Sequence, residues 1–302
     1  MKPKPNLFIV GAPKCGTTTL HRILEQHPDI CMSSFKEPHY FATDFDAPQY
    51  IRNERTYLNL FRQPDRKVVG ESSPLYLYSD AAPHAIHKSN PDAKIIIAIR
   101  HPVDLVVSLH NALLANGKED IKDLAEALEL EQIRGQGKNL PRHCKPEIVV
   151  QYRTIARISE RIRHYLEVFS PSQIFFCSLE ELSKTPEQVL SEICNFLEID
   201  NPNDDIVIDS FNSRKSVRSK FIQRMFVLTP FETKQRIKKL IPSPIIQFIN
   251  QLNQSSKFDQ VVDLETIEKL NLGFEQEVKA LTELTGLCLT STYQPSAAMQ
   301  SK

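Results

Sequence analysis

The sequence predicts an α/β protein of a single domain: a central parallel sheet with helices on both faces, a P-loop-like nucleotide-binding core and a helical C-terminal region. Three observations carry this. Short apolar runs of strand length alternate with stretches of helical period. The run "AKIIIAIR" (93–100) is apolar without alternation, as in a strand covered on both faces. The first run passes through a glycine-bearing loop straight into a helix, which is the order a phosphate-binding loop requires.

Taken in order, "LFIV" (7–10) reads as the first buried strand. Residues 17–26 follow as a helix with Leu20, Ile23 and Leu24 on one face. "KVVGE" (67–71) is a second strand and 93–100 the central one. Pro102 suits the first turn of a helix running to about Asn116. The spacing of Ile155, Ile158, Ile162 and Leu166 predicts a continuous helix over 149–168. "QIFFCSLEEL" (173–182) reads as a strand and its exit, and 187–197 as a helix. Beyond about residue 220 only helical patterns remain, clearest over 263–284.

Composition narrows the function classes. Lys plus Arg and Asp plus Glu both number 37, so no overall charge points to nucleic acid, and attraction for anions must come from local clusters. No stretch approaches the roughly 20 apolar residues of a membrane span. The N-terminal "MKPKPNLFIVG" lacks a signal-peptide core, so a cytoplasmic location is expected. None of the six cysteines forms a C-x-x-C pair; free thiols and no metal site are expected, with Cys177 and Cys194 in the core.

The loop "GAPKCGTTTL" (11–20) spaces Gly11 and Gly16 as a nucleotide-binding loop does, but Thr17 stands where that pattern has its lysine. Lys14 lies inside the loop instead. Gly16 would let the backbone approach an anion, Thr17 and Thr18 add hydroxyl donors, and the helix N-terminus adds N–H groups. The central strand ends in Arg100 rather than in an aspartate that could hold Mg²⁺. An arginine binds phosphate through its fork of donors. The site is therefore expected to neutralise its anion with side chains.

At these residues the chain resembles the sulfotransferases that use 3′-phosphoadenosine 5′-phosphosulfate, and most nearly the heparan-sulfate type and its bacterial relatives. "GAPKCGTTTL" is similar to their 5′-phosphosulfate loop, which implies donor contacts for Lys14, Cys15, Gly16, Thr17 and Thr18. "IRHPVDLVVSLH" (99–110) resembles their 3′-phosphate element and carries that role to Arg100 and Ser108. "FKEPHYFA" (35–42) resembles the segment with the catalytic glutamate, and "GESSPLYLYS" (70–79) a segment after the next strand. "FNSRKSVRSK" (211–220) resembles the loop that closes over the donor, implying 3′-phosphate contacts for Arg214, Lys215 and Arg218. The matching blocks lie within about 7–220. The implied domain spans 1–290, with a helical extension from about 221 and a disordered tail over 291–302. The sequence departs from the heparan-sulfate enzymes in having no tryptophan, and neither a signal anchor nor a paired-cysteine hairpin is expected from it, so the acceptor does not carry over with the fold.

On this resemblance Glu37 is the general base, a role for which its pKa should be raised. Lys14 is the group that stabilises charge on the bridging oxygen. His39 is a second candidate base, and with Tyr76 and Tyr78 a candidate for the acceptor side. His101 and His110 are expected to be structural. The segments 43–66 and 117–148 are expected to shape the acceptor pocket for a carbohydrate or small-molecule hydroxyl. Two other readings stay open: a nucleoside-type kinase using Mg-ATP, and a non-catalytic binder of anionic nucleotides. A nucleic-acid surface is not expected, because aromatic residues do not interleave with the basic run at 214–224.

Overall fold

The computed structural model describes residues 4–63, 65–142, 144–202 and 262–291, with residues 206 and 233 and the backbone of 215–217 and 254–256. Five apolar runs pair in it as one parallel sheet: β1 (Leu7–Gly11), β2 (Ile30–Met32), β3 (Val68–Ser72), β4 (Lys94–Ile99) and β5 (Ile174–Ser178), in the order β2-β3-β1-β4-β5. β1 is buried along its whole length and β4 everywhere but Lys94, which accounts for their lack of alternation. All five strands point the same way, so their carboxyl ends form one edge. Ligands of open α/β sheets sit at that edge.

The helices among the described residues are α1 (Thr17–Glu25), α2 (Glu54–Leu58), α3 (Ala82–Ser89), α4 (Pro102–Ala115), α5 (Leu124–Glu129), α6 (Glu131–Gly135), α7 (Tyr152–Ala156), α8 (Ile158–Leu166), α9 (Leu179–Lys184) and α10 (Pro186–Leu197), then a long helix, Leu264–Thr285. Local signals set several ends. Pro102 opens α4, where a missing N–H costs nothing. Ser178 stops β5 by capping α9: its Oγ accepts from the Glu181 N–H at 3.1 Å, and Glu181 Oε2 accepts from the Ser178 N–H at 3.0 Å. The long helix starts at the Asp263 cap and ends at Gly286, whose φ of 72° suits glycine. It packs on α4 and α8, burying Ile267, Leu270, Phe274 and Leu281. All six cysteines are free thiols, and Cys177 and Cys194 lie in the core. Among the described residues no helix is long and apolar enough to cross a membrane.

The structure corrects three expectations. The helix over 149–168 is broken into a 3-10 turn (Glu147–Val150), α7 and α8. At the break Arg157 leaves the helical region (ψ 72°). The Ser159 N–H there donates to Glu277 Oε1 at 2.7 Å, so a tertiary acceptor at the start of α8 rewards interrupting the ladder. Second, the region after 220 is not only helical: Gln254–Ser256 pairs antiparallel with Lys215–Val217. Three polar residues carry no period that would announce a strand. Third, Tyr76 and Tyr78, expected on the acceptor side, sit in a 3-10 turn, Pro74–Tyr78, whose five residues are all buried.

Candidate active site

β1 delivers the loop at residues 12–16 to the carboxyl edge of the sheet. Two glycines are required there, for packing reasons. A side chain at Gly11 would put its Cβ 2.5 Å from Leu77 Cδ2. Gly16 caps α1 with φ 88°, and a Cβ there would lie 2.9 Å from Leu182 Cδ2. Gly16 thus lets the loop seat against α9, rather than simply clearing space for an anion. Among the described residues no side chain caps α1, so its first-turn N–H groups are open to a ligand. The Cys15 N–H donates to the Ala12 carbonyl at 3.2 Å, and the Cys15 side chain is fully buried. Lys14 has a left-handed backbone (φ 66°) and lines the cleft. Desolvation, then Arg100, lower its ammonium pKa below 10.5.

The segment after β2 brings the carboxylate. Lys36, Glu37 and His39 line the same cleft as Lys14, Gly16, Thr17 and Thr18. Glu37 (φ 63°) and His39 (φ 48°) are both left-handed, the kind of backbone strain that collects at functional sites. Lys36 Nζ donates to Glu37 Oε1 at 2.7 Å, and His39 Nε2 lies 3.8 Å from Glu37 Oε2. Desolvation pushes the Glu37 carboxyl up, but Lys36, then His39, outweigh it and hold it well below the usual carboxylate range. This reverses the expectation of a raised pKa. Glu37 is an ionised acceptor of protons, and a weaker base than an isolated carboxylate. The His39 ring is buried against Tyr50, its Nδ1 has no hydrogen-bond partner among the described residues, and burial lowers its pKa despite Glu37.

Arg100 follows β4, and Ser108 lies on α4; both face the cleft. Among the described residues Arg100 Nε has no hydrogen-bond partner, and it lies 3.9 Å from Asp104 Oδ2. A guanidinium nitrogen short of partners beside Lys14 and an uncapped helix fits an anion. The cleft, of about 890 Å³, continues past these groups. Gln49 and Tyr50 come from one segment expected to shape the acceptor pocket, Lys118 and Pro146 from the other, and Leu113 of α4 and its C-cap Asn116 line the cleft too.

Tyr76 and Tyr78 do not line the cleft. Both are buried, the Tyr76 hydroxyl donating to Glu71 Oε1 at 2.7 Å and the Tyr78 hydroxyl to the Ile155 carbonyl at 2.6 Å. His110 is structural, with Nε2 3.0 Å from the Ile121 carbonyl oxygen. His101 is buried at the N-cap of α4. Arg214 and Arg218 lie outside the described residues, and only the backbone of Lys215 is described. Sequence reasoning missed Glu180, whose side chain lines the cleft and whose pKa burial raises. It lies just past the point where β5 ends, and that topological position was the available signal. Among the described residues no group of three or more His, Cys, Asp or Glu is placed to hold a metal ion.

The family model of the sulfotransferase domain matches residues 4–272. Human heparan sulfate glucosamine 3-O-sulfotransferase 6 is 27% identical over 198 residues, 64% of this chain and 52% of that one. The bifunctional heparan sulfate N-deacetylase/N-sulfotransferase 1 of Caenorhabditis briggsae is 26% identical over 206 residues, 66% of this chain and 23% of that one. The chain therefore spans about half or less of these relatives. The crystal structure of a sulfotransferase from Alicyclobacillus acidocaldarius superposes with a TM-score of 0.66 at 26% identity, covering 94% of this chain and 96% of that one.

Proposed function

The chain belongs to the sulfotransferase domain family, and from that premise we propose that it moves a sulfuryl group from 3′-phosphoadenosine 5′-phosphosulfate to a hydroxyl, or an amine, of a carbohydrate or small-molecule acceptor. The observation that carries this reading is the meeting, in one cleft, of an uncapped helix N-terminus, Lys14 and Arg100 with the ionised Glu37. The first three suit the anionic ends of a nucleotide; the fourth suits a proton acceptor.

Each residue then has a task. The first turn of α1, with Thr17 and Thr18, holds the 5′-phosphosulfate end. Arg100 and Ser108 hold the 3′-phosphate, and to the same phosphate we assign Arg214, Lys215 and Arg218, whose side chains lie outside the described residues. When bound, the donor supplies an activated sulfuryl group. Glu37 takes the proton of the acceptor hydroxyl, and His39 backs it from the buried side. Lys14 stabilises negative charge on the bridging oxygen. The low pKa of Glu37 limits its strength as a base, so orientation of the acceptor against it carries much of the rate. A carbohydrate acceptor is supported by the relatives named for heparan sulfate.

The test is release of 3′-phosphoadenosine 5′-phosphate from the donor across a panel of glycans, phenols and amines. Glu37→Gln should keep donor affinity and lose turnover with the best acceptor. A protein that binds the donor product but turns over nothing in the panel, with Glu37→Gln indistinguishable from wild type, would be a non-catalytic binder. A requirement for Mg-ATP would make it a kinase.

A further inference from the structure

Glu71 is a carboxylate with no exposed surface, at the carboxyl end of β3, and among the described residues no cation lies in hydrogen-bond contact with it. Three hydroxyls donate to it instead: Ser73 to Oε2 at 2.6 Å, and Tyr76 at 2.7 Å and Tyr57 at 2.9 Å to Oε1. Two of these act as relays. Ser73 Oγ accepts the His39 N–H at 3.1 Å, and the Tyr76 oxygen accepts the Phe41 N–H at 3.1 Å. The Glu37 N–H, two residues earlier, donates to the Ser72 carbonyl at 2.9 Å.

Alternate amides of 37–41 are thus held as an edge strand would hold them, yet the segment cannot be a strand, because Glu37 and His39 have positive φ. Hydroxyls replace the backbone carbonyls that a regular ladder would supply. A hydroxyl accepts well from an amide when its own proton is taken elsewhere, and a carboxylate takes two such protons, one on each oxygen. An amide side chain could accept on one oxygen only.

We propose that Glu71 is a positioning residue: through Ser73 and Tyr76 it fixes the strained segment 37–41, and with it the direction in which Glu37 faces the cleft. Its role in turnover rests on the sulfotransferase reading; the positioning itself does not. Burial pushes the Glu71 carboxyl up to about 7, the mark of a group whose ionised form is costly at this place. A core hydrocarbon would avoid that cost and leave both relays without an acceptor.

The experiment is site-resolved amide hydrogen exchange on the full chain, with titration of 3′-phosphoadenosine 5′-phosphate and its rate of release from the donor measured beside it. Glu71→Gln should speed exchange of the His39 and Phe41 amides by about tenfold or more. The amides of β1 and β4 should stay protected, and product affinity should stay within about twofold. The release rate should fall at unchanged donor KM. Should Glu71→Gln not fold, the two relays are cut singly: Ser73→Ala should free the His39 amide, and Tyr76→Phe the Phe41 amide, each lowering release without changing affinity. Unchanged exchange at both amides, or exchange rising equally through β1 and β4, would overturn the proposal. If wild type fails to bind the nucleotide, the sulfotransferase reading fails and the exchange result still decides the positioning.

Discussion

Lys36 Nζ donates to Glu37 Oε1 at 2.7 Å and reaches Thr17 Oγ1, in the first turn of α1, at 3.5 Å. One ammonium therefore joins Glu37 to the uncapped first turn of α1. It is also the strongest influence holding the Glu37 carboxyl down against desolvation. In Lys36→Met the Glu37 pKa should rise toward its ordinary value. The sign follows: with Lys36 the carboxylate survives deep into acid, and without it activity is lost at higher pH on acidification. The acid limb of the kcat profile should move up, and a limb that stays in place would show that Lys36 does not set the ionisation of Glu37.

Lys14 makes the second prediction. Desolvation and Arg100 lower its ammonium pKa below 10.5 in the free protein, and a bound phosphate group should raise it again. Binding of 3′-phosphoadenosine 5′-phosphate should therefore take up protons and weaken as pH rises toward 10.5. Titrations in buffers of different ionisation enthalpy read the proton uptake directly. Lys14→Met should flatten this dependence and slow turnover by on the order of 100-fold.

A third prediction concerns stability. Arg134, buried, forks onto Glu119 with Nη1 to Oε2 at 2.6 Å and Nη2 to Oε1 at 2.8 Å. The Tyr152 hydroxyl and the amides of Asp120 and Ile121 complete the shell around Glu119. The network pins the segment next to Lys118, on the far side of the cleft. Arg134→Met leaves Glu119 buried without its counter-charge, which should cost about 3–5 kcal/mol in denaturant unfolding. Adding Glu119→Leu should recover part of that loss, since the stranded charge goes with it.

Glu71 gives the fourth. Its carboxyl is pushed up to about 7 from 4.5 by burial, against the pull of Ser73, Tyr76, Tyr57 and Lys36. The folded protein holds this proton more tightly than the unfolded chain does. The stability it contributes is full below 4.5 and is lost as pH rises through about 7. Urea unfolding of wild type and Glu71→Gln at about pH 5 and about pH 8 should show wild type losing ground to the variant at the higher pH. A constant difference would contradict the shift.

Much of one half of the candidate site was legible before folding. Gly11, Lys14, Gly16, Thr17, Thr18, Arg100 and Ser108 lie in two short motifs that each join a strand to a helix. Local order brings them to the same sheet edge. The sheet was legible because β1 and β4 are buried on both faces and so read as unbroken apolar runs. Several failures depend on partners distant in sequence. Glu277 interrupts the helix over 149–168 from more than a hundred residues away. Tyr76 and Tyr78, expected on the acceptor side, lie in a stretch that turns and buries both rings. The pKa of Glu37 was misjudged because proximity in sequence does not reveal that Lys36 folds back onto it. Glu71 passed unnoticed because its relays become visible only when three separate segments converge.

The most direct test of the whole account is isothermal titration of the protein with 3′-phosphoadenosine 5′-phosphate in the absence of magnesium, with Mg-ATP as the comparison. The account predicts a Kd on the order of micromolar for the first ligand, weakened at least about tenfold in Arg100→Ala. Binding of Mg-ATP alone, or binding indifferent to Arg100→Ala, would contradict it.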